Sequence, residues 1–184
     1  FPDFKQIDKF LKLISVCHTV IPDLKSTEST RNKDIPIVYQ ASSPDELALI
    51  NAAYKCGYKF IGRSPNCVTI QKNFETPENW NTLIEFPFDS SRKRMSMLVE
   101  CNNRYFLLCK GADSVMMERC DVNATILTQL NKDLNMFAKE GLRTLLMAQK
   151  EIKMSEYHAF LKAYENLKFS SDRERERKLL DLYD

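Results

Sequence analysis

The sequence predicts an α+β fold, a twisted antiparallel sheet of about six or seven strands with flanking helices. Three observations carry this. A series of strand-like stretches runs between residues 37 and 110, the clearest alternating Met95, Met97, Val99 and Cys101 on one face. Segments with apolar residues at three- and four-residue spacing lie before, between and after them. The 184 residues, 43% hydrophobic and 28% charged, are enough for one domain with a real core, spanning 1–184.

In chain order, residues 3–18 place Phe4, Ile7, Phe10, Leu11, Ile14 and Cys17 on a helical stripe, which Pro22 ends. Residues 23–36 are polar and aperiodic, an exposed loop. A strand at 37–41 precedes Ser43-Pro44-Asp45-Glu46, which opens a helix to about Cys56, with Gly57 as its stop. Strands follow near 58–62, 67–72 and 82–88, then 94–101. Asn102-Asn103 forms a hairpin turn, and the chain returns as 105–110. A short helix is expected over 112–119 and a longer one over 124–140, with Leu127, Leu130, Leu134 and Phe137 on one stripe and Gly141 as cap. Residues 142–150 read as a strand, 155–168 as a helix, and the sign-alternating run from Asp172 as a solvated helix face.

Composition excludes several functions. With 27 basic and 25 acidic residues the net charge is +2, too small for a broad basic field toward nucleic acid or an anionic membrane. No stretch approaches the ~18 apolar residues of a membrane span. The opening Phe-Pro-Asp-Phe-Lys fits neither a signal peptide nor a natural start, so the chain is expected to be a piece of something longer. Six cysteines form no Cys-x-x-Cys pair, and His18 and His158 lie far apart, which favours reduced cytosolic thiols over a metal or disulfide framework. Adjacent Cys17 and His18 point apart and make a poor catalytic pair. Gly57 to Ser64 mimics a phosphate-binding loop, but its aromatic and β-branched interior and the following Pro65 read as a strand ending in a turn.

Four segments suggest ligand chemistry. Ser43-Pro44-Asp45-Glu46 is a capping box by its spacing. Phe88, at a strand end beside a turn rich in hydroxyls and cations (Ser90, Ser91, Arg92, Lys93, Arg94), has the form of a stacking platform for a planar base. Lys110-Gly111-Ala112-Asp113 ends a buried-looking strand with a cation and a residue without a side chain, leaving room for a ligand at the backbone. Gly141-Leu142-Arg143-Thr144 is a helix stop leading into a strand.

Together these segments, in this order and spacing, closely resemble the nucleotide-binding domain of the P-type ATPases, and among them the phospholipid-flippase branch. The resemblance rests on Tyr39-Gln-Ala-Ser-Ser-Pro-Asp-Glu46, Phe88 to Ser96, Lys110-Gly-Ala-Asp113 and Gly141-Leu-Arg-Thr-Leu145, and covers essentially the whole chain. Cys17-His18-Thr19-Val20 looks like the family's entry to this domain. The resemblance implies that Phe88 stacks on adenine, with Glu46 near its exocyclic amine. Ser90, Lys93 and Lys110 would line the nucleotide, Lys110 at the closed end, and Arg143 with Thr144 would lie toward the phosphates.

It implies ATP with Mg²⁺, and a parent enzyme on the cytosolic face of a membrane that moves phospholipid toward the cytosolic leaflet. The phosphorylation and actuator domains of the same parent chain, with room for an accessory subunit, would be its partners. The family's catalytic Asp-Lys-Thr-Gly-Thr motif does not occur in this sequence, so the chain is expected to bind ATP without hydrolysing it. No catalytic or metal-ligating residue is assigned. Two other readings stay open: the same domain from a cation-pumping or multidomain relative, and a non-catalytic module using Arg92-Lys93-Arg94 on an acidic partner or RNA.

Overall fold

A computed structural model of the chain describes residues 3–23 and 37–167. Most of the expected 23–36 loop and the charged run from Asp172 lie outside the described residues. The element order is α1 (Phe4–Val16), β1 (Ile21–Pro22), β2 (Tyr39–Gln40), α2 (Pro44–Lys55), β3 (Tyr58–Ser64), β4 (Cys67–Lys72), β5 (Glu78–Asp89), β6 (Arg94–Cys101), β7 (Arg104–Gly111), α3 (Asp113–Met117), α4 (Ala124–Lys139), β8 (Leu146–Ile152) and α5 (Met154–Leu167). Strands β3 to β8 form one six-stranded sheet in chain order, every neighbouring pair antiparallel. β1 and β2 pair separately as a short ribbon. The α+β architecture expected from the sequence is therefore the one observed.

Local chemistry explains the strand order. Asn102 and Asn103 both adopt positive φ (52° and 60°), the left-handed pair that a two-residue hairpin of the favoured twist requires, so β6 and β7 meet with Cys101 opposite Arg104. Gly57, at φ 88°, stops α2 and turns the chain into β3. The stretch resembling a phosphate loop is β3 itself, with a register shift between Phe60 and Gly62.

One face of the sheet is covered by α1 and α2. Leu11, Leu13, Ile14 and Ile50 pack there with Phe60, Met95, Met97, Val99 and Leu108, all buried. The opposite face receives α5, where Phe160 meets Phe86 edge-on at 6.3 Å and Tyr157 stacks on Tyr105 at 4.5 Å. With cover on both sides, β6 is buried along almost its whole length and loses the polar alternation of a one-sided strand.

Several expectations are corrected. The α1 stripe is buried only toward its C-terminal end, for Phe4 is 81% and Phe10 45% exposed. Pro22 lies beyond the end of that helix, paired with Tyr39 in the ribbon. The strand expected at 37–41 shrinks to two residues outside the main sheet. Helix α4 forms, but no residue of it is fully buried, so its Leu127, Leu130, Leu134 and Phe137 stripe is not a core face among the described residues. β8 begins at Leu146, leaving 142–145 as irregular chain between helix and strand.

Candidate functional site

The sequence-predicted site residues gather at one end of the sheet. Pairing across four strands runs Asp89, Arg94, Gly111, Leu146 in a single row. Phe88, Lys93 and Lys110 each precede a member of that row, and Arg143 and Thr144 lie on the approach to the last. The head of α2 meets the same end of the sheet through Asp45 and Glu46.

Phe88 owes its position to a bulge. Between Phe86 and Asp89 the β5 strand carries one more residue than the β6 segment it faces. Pro87, which has no amide to donate, is tolerated within a sheet at such a place. The bulge separates two phenylalanines: Phe86 is buried against α5, and Phe88 is 65% exposed. Phe88 is therefore not a core aromatic. Beyond it, Asp89 organises the turn that holds Ser90 and Lys93. Its Oδ1 accepts from the Ser91 amide (2.8 Å), the Arg92 amide (3.1 Å) and the Ser91 hydroxyl, and its carbonyl accepts from the Lys93 amide at 2.7 Å. These donors hold the Asp89 carboxyl below its ordinary range. Lys93 sits at φ 50°, and Ser90 and Lys93 are both exposed.

This turn is clamped to the end of β7. The Ala112 amide donates to the Lys93 carbonyl at 3.0 Å. A Cβ on Gly111 would lie 2.6 Å from Arg94 Cβ and 2.8 Å from that same carbonyl, so glycine is required by the chain's own hairpin. The sequence suggests that space for a ligand, but Arg94 and the Lys93 carbonyl occupy it.

The closed end is an ion pair. Lys110 Nζ donates to Glu46 Oε1 at 2.6 Å, and the residues are 7% and 9% exposed. Glu46 Oε2 accepts from the Thr19 hydroxyl at 2.6 Å and the Thr19 amide at 3.1 Å. Burial pushes the Glu46 carboxyl up, but the Lys110 ammonium and the Thr19 donors outweigh it and leave the carboxyl below the usual glutamate range. The capping box is thus not closed. Ser43 is the N-cap without a side-chain bond, and Glu46 turns inward to Lys110 and Thr19 instead of back to the helix start. Pro44 at the first turn remains as the sequence implied.

The open end differs. Arg143 NH2 meets Asp45 Oδ2 at 2.9 Å, but the arginine side chain is 84% exposed. Thr144 is half-buried. Behind the closed end lie Cys17 and His18, both buried. The His18 ring donates from Nε2 to the Ser15 carbonyl (2.9 Å) and accepts from the Val20 amide at Nδ1 (3.1 Å), the neutral tautomer. Burial, with Arg63 nearby, pushes its pKa down to about 3, and burial raises the Cys17 thiol to about 12. Neither group is set up as nucleophile or base.

A cavity of 1360 Å³ lies elsewhere, between α1 and the β7–β8 edge, lined by Lys12, Trp80, Arg104, Phe106 and Glu151 among others and by none of the seven predicted residues. Two of its cations are paired, Lys12 with Glu78 at 2.7 Å and Arg104 with Glu151 at 2.5 Å. Among the described residues, no three His, Cys, Asp or Glu side chains converge as metal ligands, and no helix is long and apolar enough to cross a membrane. Sequence reasoning missed Thr19 and Asp45 as parts of the site. Thr19 belongs to the Cys17-His18-Thr19-Val20 run, but nothing local ties it to the carboxylate it holds, 27 residues away.

Comparison with known proteins places the whole chain in a family. The family model described as P-type ATPase, cytoplasmic domain N matches residues 6–180. A phospholipid-transporting ATPase of Schizosaccharomyces pombe is 41% identical over 176 residues, 95% of this chain and 13% of the relative. The phospholipid-transporting ATPase DRS2 of Saccharomyces cerevisiae is 38% identical over 174 residues, 93% of this chain and 12% of its own length. The human phospholipid-transporting ATPase IC is 38% identical over 160 residues, 86% of this chain and 12% of its length. The chain thus spans about an eighth of these relatives.

Proposed function

The chain belongs to the P-type ATPase cytoplasmic domain N family, and from that premise we propose that it is the ATP-holding domain of a phospholipid-transporting P-type ATPase. One observation carries the reading: residues from four separate segments come to a single end of the sheet, with a solvent-facing aromatic at one side and a buried carboxylate–ammonium pair at the other. An exposed phenylalanine backed by a rigid, Asp89-organised turn supplies a face for a base at little ordering cost. Glu46 offers an acceptor suited to adenine's amine, and Lys110, Lys93 and Arg143 supply positive charge along the row. The names of the relatives favour phospholipid over a cation as the parent's cargo.

In this reading the domain binds and orients ATP so that the terminal phosphate stays accessible to an aspartate on the phosphorylation domain of the parent. Mg²⁺ would arrive with the nucleotide, held by phosphate oxygens and water. The actuator domain and an accessory subunit would be further partners, and the site would face the cytosol. No residue of this chain performs the chemistry, so binding without turnover is the expected behaviour.

Calorimetric titration of ATP, ADP and single-stranded RNA tests it. In this reading Arg143 would be the cation nearest the phosphates, and it lies in solvent, where screening limits its contribution to on the order of 1 kcal/mol. ATP and ADP should therefore bind within roughly fivefold of each other, and RNA should not bind. A hundredfold preference for ATP would mean that the terminal phosphate is enclosed, against the delivery role. RNA binding without ATP binding would favour the module reading through Arg92, Lys93 and Arg94.

A further inference from the structure

We infer that Thr19 is a positioning residue for base selection: its hydroxyl and amide occupy one oxygen of Glu46 and leave the last free acceptor position of that carboxylate, on Oε1, for the exocyclic amine of adenine. The inference rests on the nucleotide-binding reading above.

An ionised carboxylate has about four acceptor positions, two on each oxygen. Three are filled here. Oε2 takes both Thr19 donors, at 2.6 and 3.1 Å, and Oε1 takes the Lys110 ammonium at 2.6 Å. The fourth position lies on Oε1, beside the ammonium. The site therefore presents an acceptor and a cationic donor side by side, and these favour opposite bases. Adenine carries an amine where guanine carries an oxygen, so Oε1 welcomes the first and the Lys110 ammonium the second. Which of the two faces the base depends on the orientation of the carboxylate plane.

Thr19 fixes that orientation. The two donors of one residue hold Oε2 at two points, whereas the Lys110 ammonium holds Oε1 at one, and one point does not set the plane of a carboxylate. Thr19 is itself exposed, unlike its neighbours Cys17, His18 and Val20, which are buried. An exposed hydroxyl has water as an alternative partner, so the bond to Glu46 is not needed to satisfy Thr19. Its consequence falls on the carboxylate.

The experiment measures ATP and GTP affinities by calorimetry for the chain and for Thr19→Val, Thr19→Ser and Glu46→Gln, with melting of each in the absence of nucleotide. Thr19→Val should lower the ATP-to-GTP affinity ratio by about tenfold, the loss of one charge-assisted hydrogen bond, with little change in melting. Thr19→Ser, which keeps both donors, should retain the ratio. Glu46→Gln should lower it at least as far. A ratio unmoved by Thr19→Val but lowered by Glu46→Gln would overturn the role of Thr19 while leaving Glu46 as the base reader. A ratio unmoved by Glu46→Gln would overturn both. Failure of Thr19→Ser to retain the ratio would also overturn it, since the lost feature would then be the methyl group. If Thr19→Val does not fold, Thr19→Ala carries the same comparison.

Discussion

Asp45 and Glu46 stand side by side at the head of α2, and each meets a distant cation, Lys110 on β7 or Arg143 just before β8, yet the two pairs belong to different environments. Glu46 and Lys110 are buried and supported by Thr19, whereas Arg143 reaches Asp45 from solvent. The same contrast divides the whole candidate site. Its closed end is assembled by the protein's own hydrogen bonds. Its open end, with Phe88, Ser90, Lys93 and Arg143, is largely unburied surface. The difference teaches that one end is held in place by the protein's own bonds before any ligand arrives, and that the other is not. Removing a charge of the buried pair should cost stability as well as base selection, and removing an open-end group should cost binding alone.

Breaking the closed pair should give the largest effect. Lys110→Ala leaves the Glu46 carboxylate buried without its counter-ion and should destabilise the fold by about 3–5 kcal/mol. Denaturant unfolding without nucleotide checks this. Combining Glu46→Gln with Lys110→Met removes both charges and should recover most of the loss. A small effect of Lys110→Ala would erase the distinction between the two ends.

Acid should reach the closed end first. His18 is buried as the neutral ring, with its pKa down at about 3 against an ordinary 6.5, so the unfolded chain binds the extra proton between those values. Stability is then full above pH 6.5 and falls as pH falls through that window, by about 3 kcal/mol at pH 4.5. The lowered Glu46 carboxyl adds a loss in the same direction only at still lower pH, below its ordinary 4.5. Unfolding free energies at pH 7 and 4.5 measure the first loss, and its absence would mean that His18 is not buried as a neutral group.

At the open end, Phe88→Ala should weaken ATP binding by about 1–3 kcal/mol, the range for one base–aromatic stack, with melting of the free chain unchanged. A large fall in melting temperature would assign Phe88 to the core with Phe86. The smallest effect belongs to the solvent-exposed pair. Arg143→Ala should change stability by about 0.5 kcal/mol or less, as exposed ion pairs do, and Asp45→Asn likewise. An effect near that of Lys110→Ala would show that the two pairs are equivalent after all.

Much of this was legible in the residues, and the reasons for the rest are particular. The β6–β7 hairpin was readable because Asn-Asn favours the left-handed turn and the alternation of Met95 to Cys101 needs only its own strand. The α1 stripe was legible as a helix, but not how much of it is covered, because periodicity reports which residues could be buried together and not whether anything lies over them. α4 shows the same limit: its apolar spacing is real, yet none of its residues is fully buried. Ser43 to Glu46 has the spacing of a capping box, yet the Glu46 carboxylate goes to a stronger, charged partner from a distant strand. Gly111 was rightly singled out and given the wrong occupant, since a missing side chain marks close approach without saying by what.

The sequence alone determined what depends on neighbours two to four residues away: the strands by alternation, the turns by Asn and Gly, the helix starts by Pro and Ser, and the motif order that identifies the family. Tertiary structure decided which charges meet. Lys110 finds Glu46 across 64 residues and Thr19 finds it across 27, because β7 lies between β6 and β8 and α2 packs against the face that Lys110 shares with Leu108. Side-chain periodicity and turn preference act over a single turn of chain, whereas an ion pair depends on which strands are neighbours. That is a property of the assembled sheet.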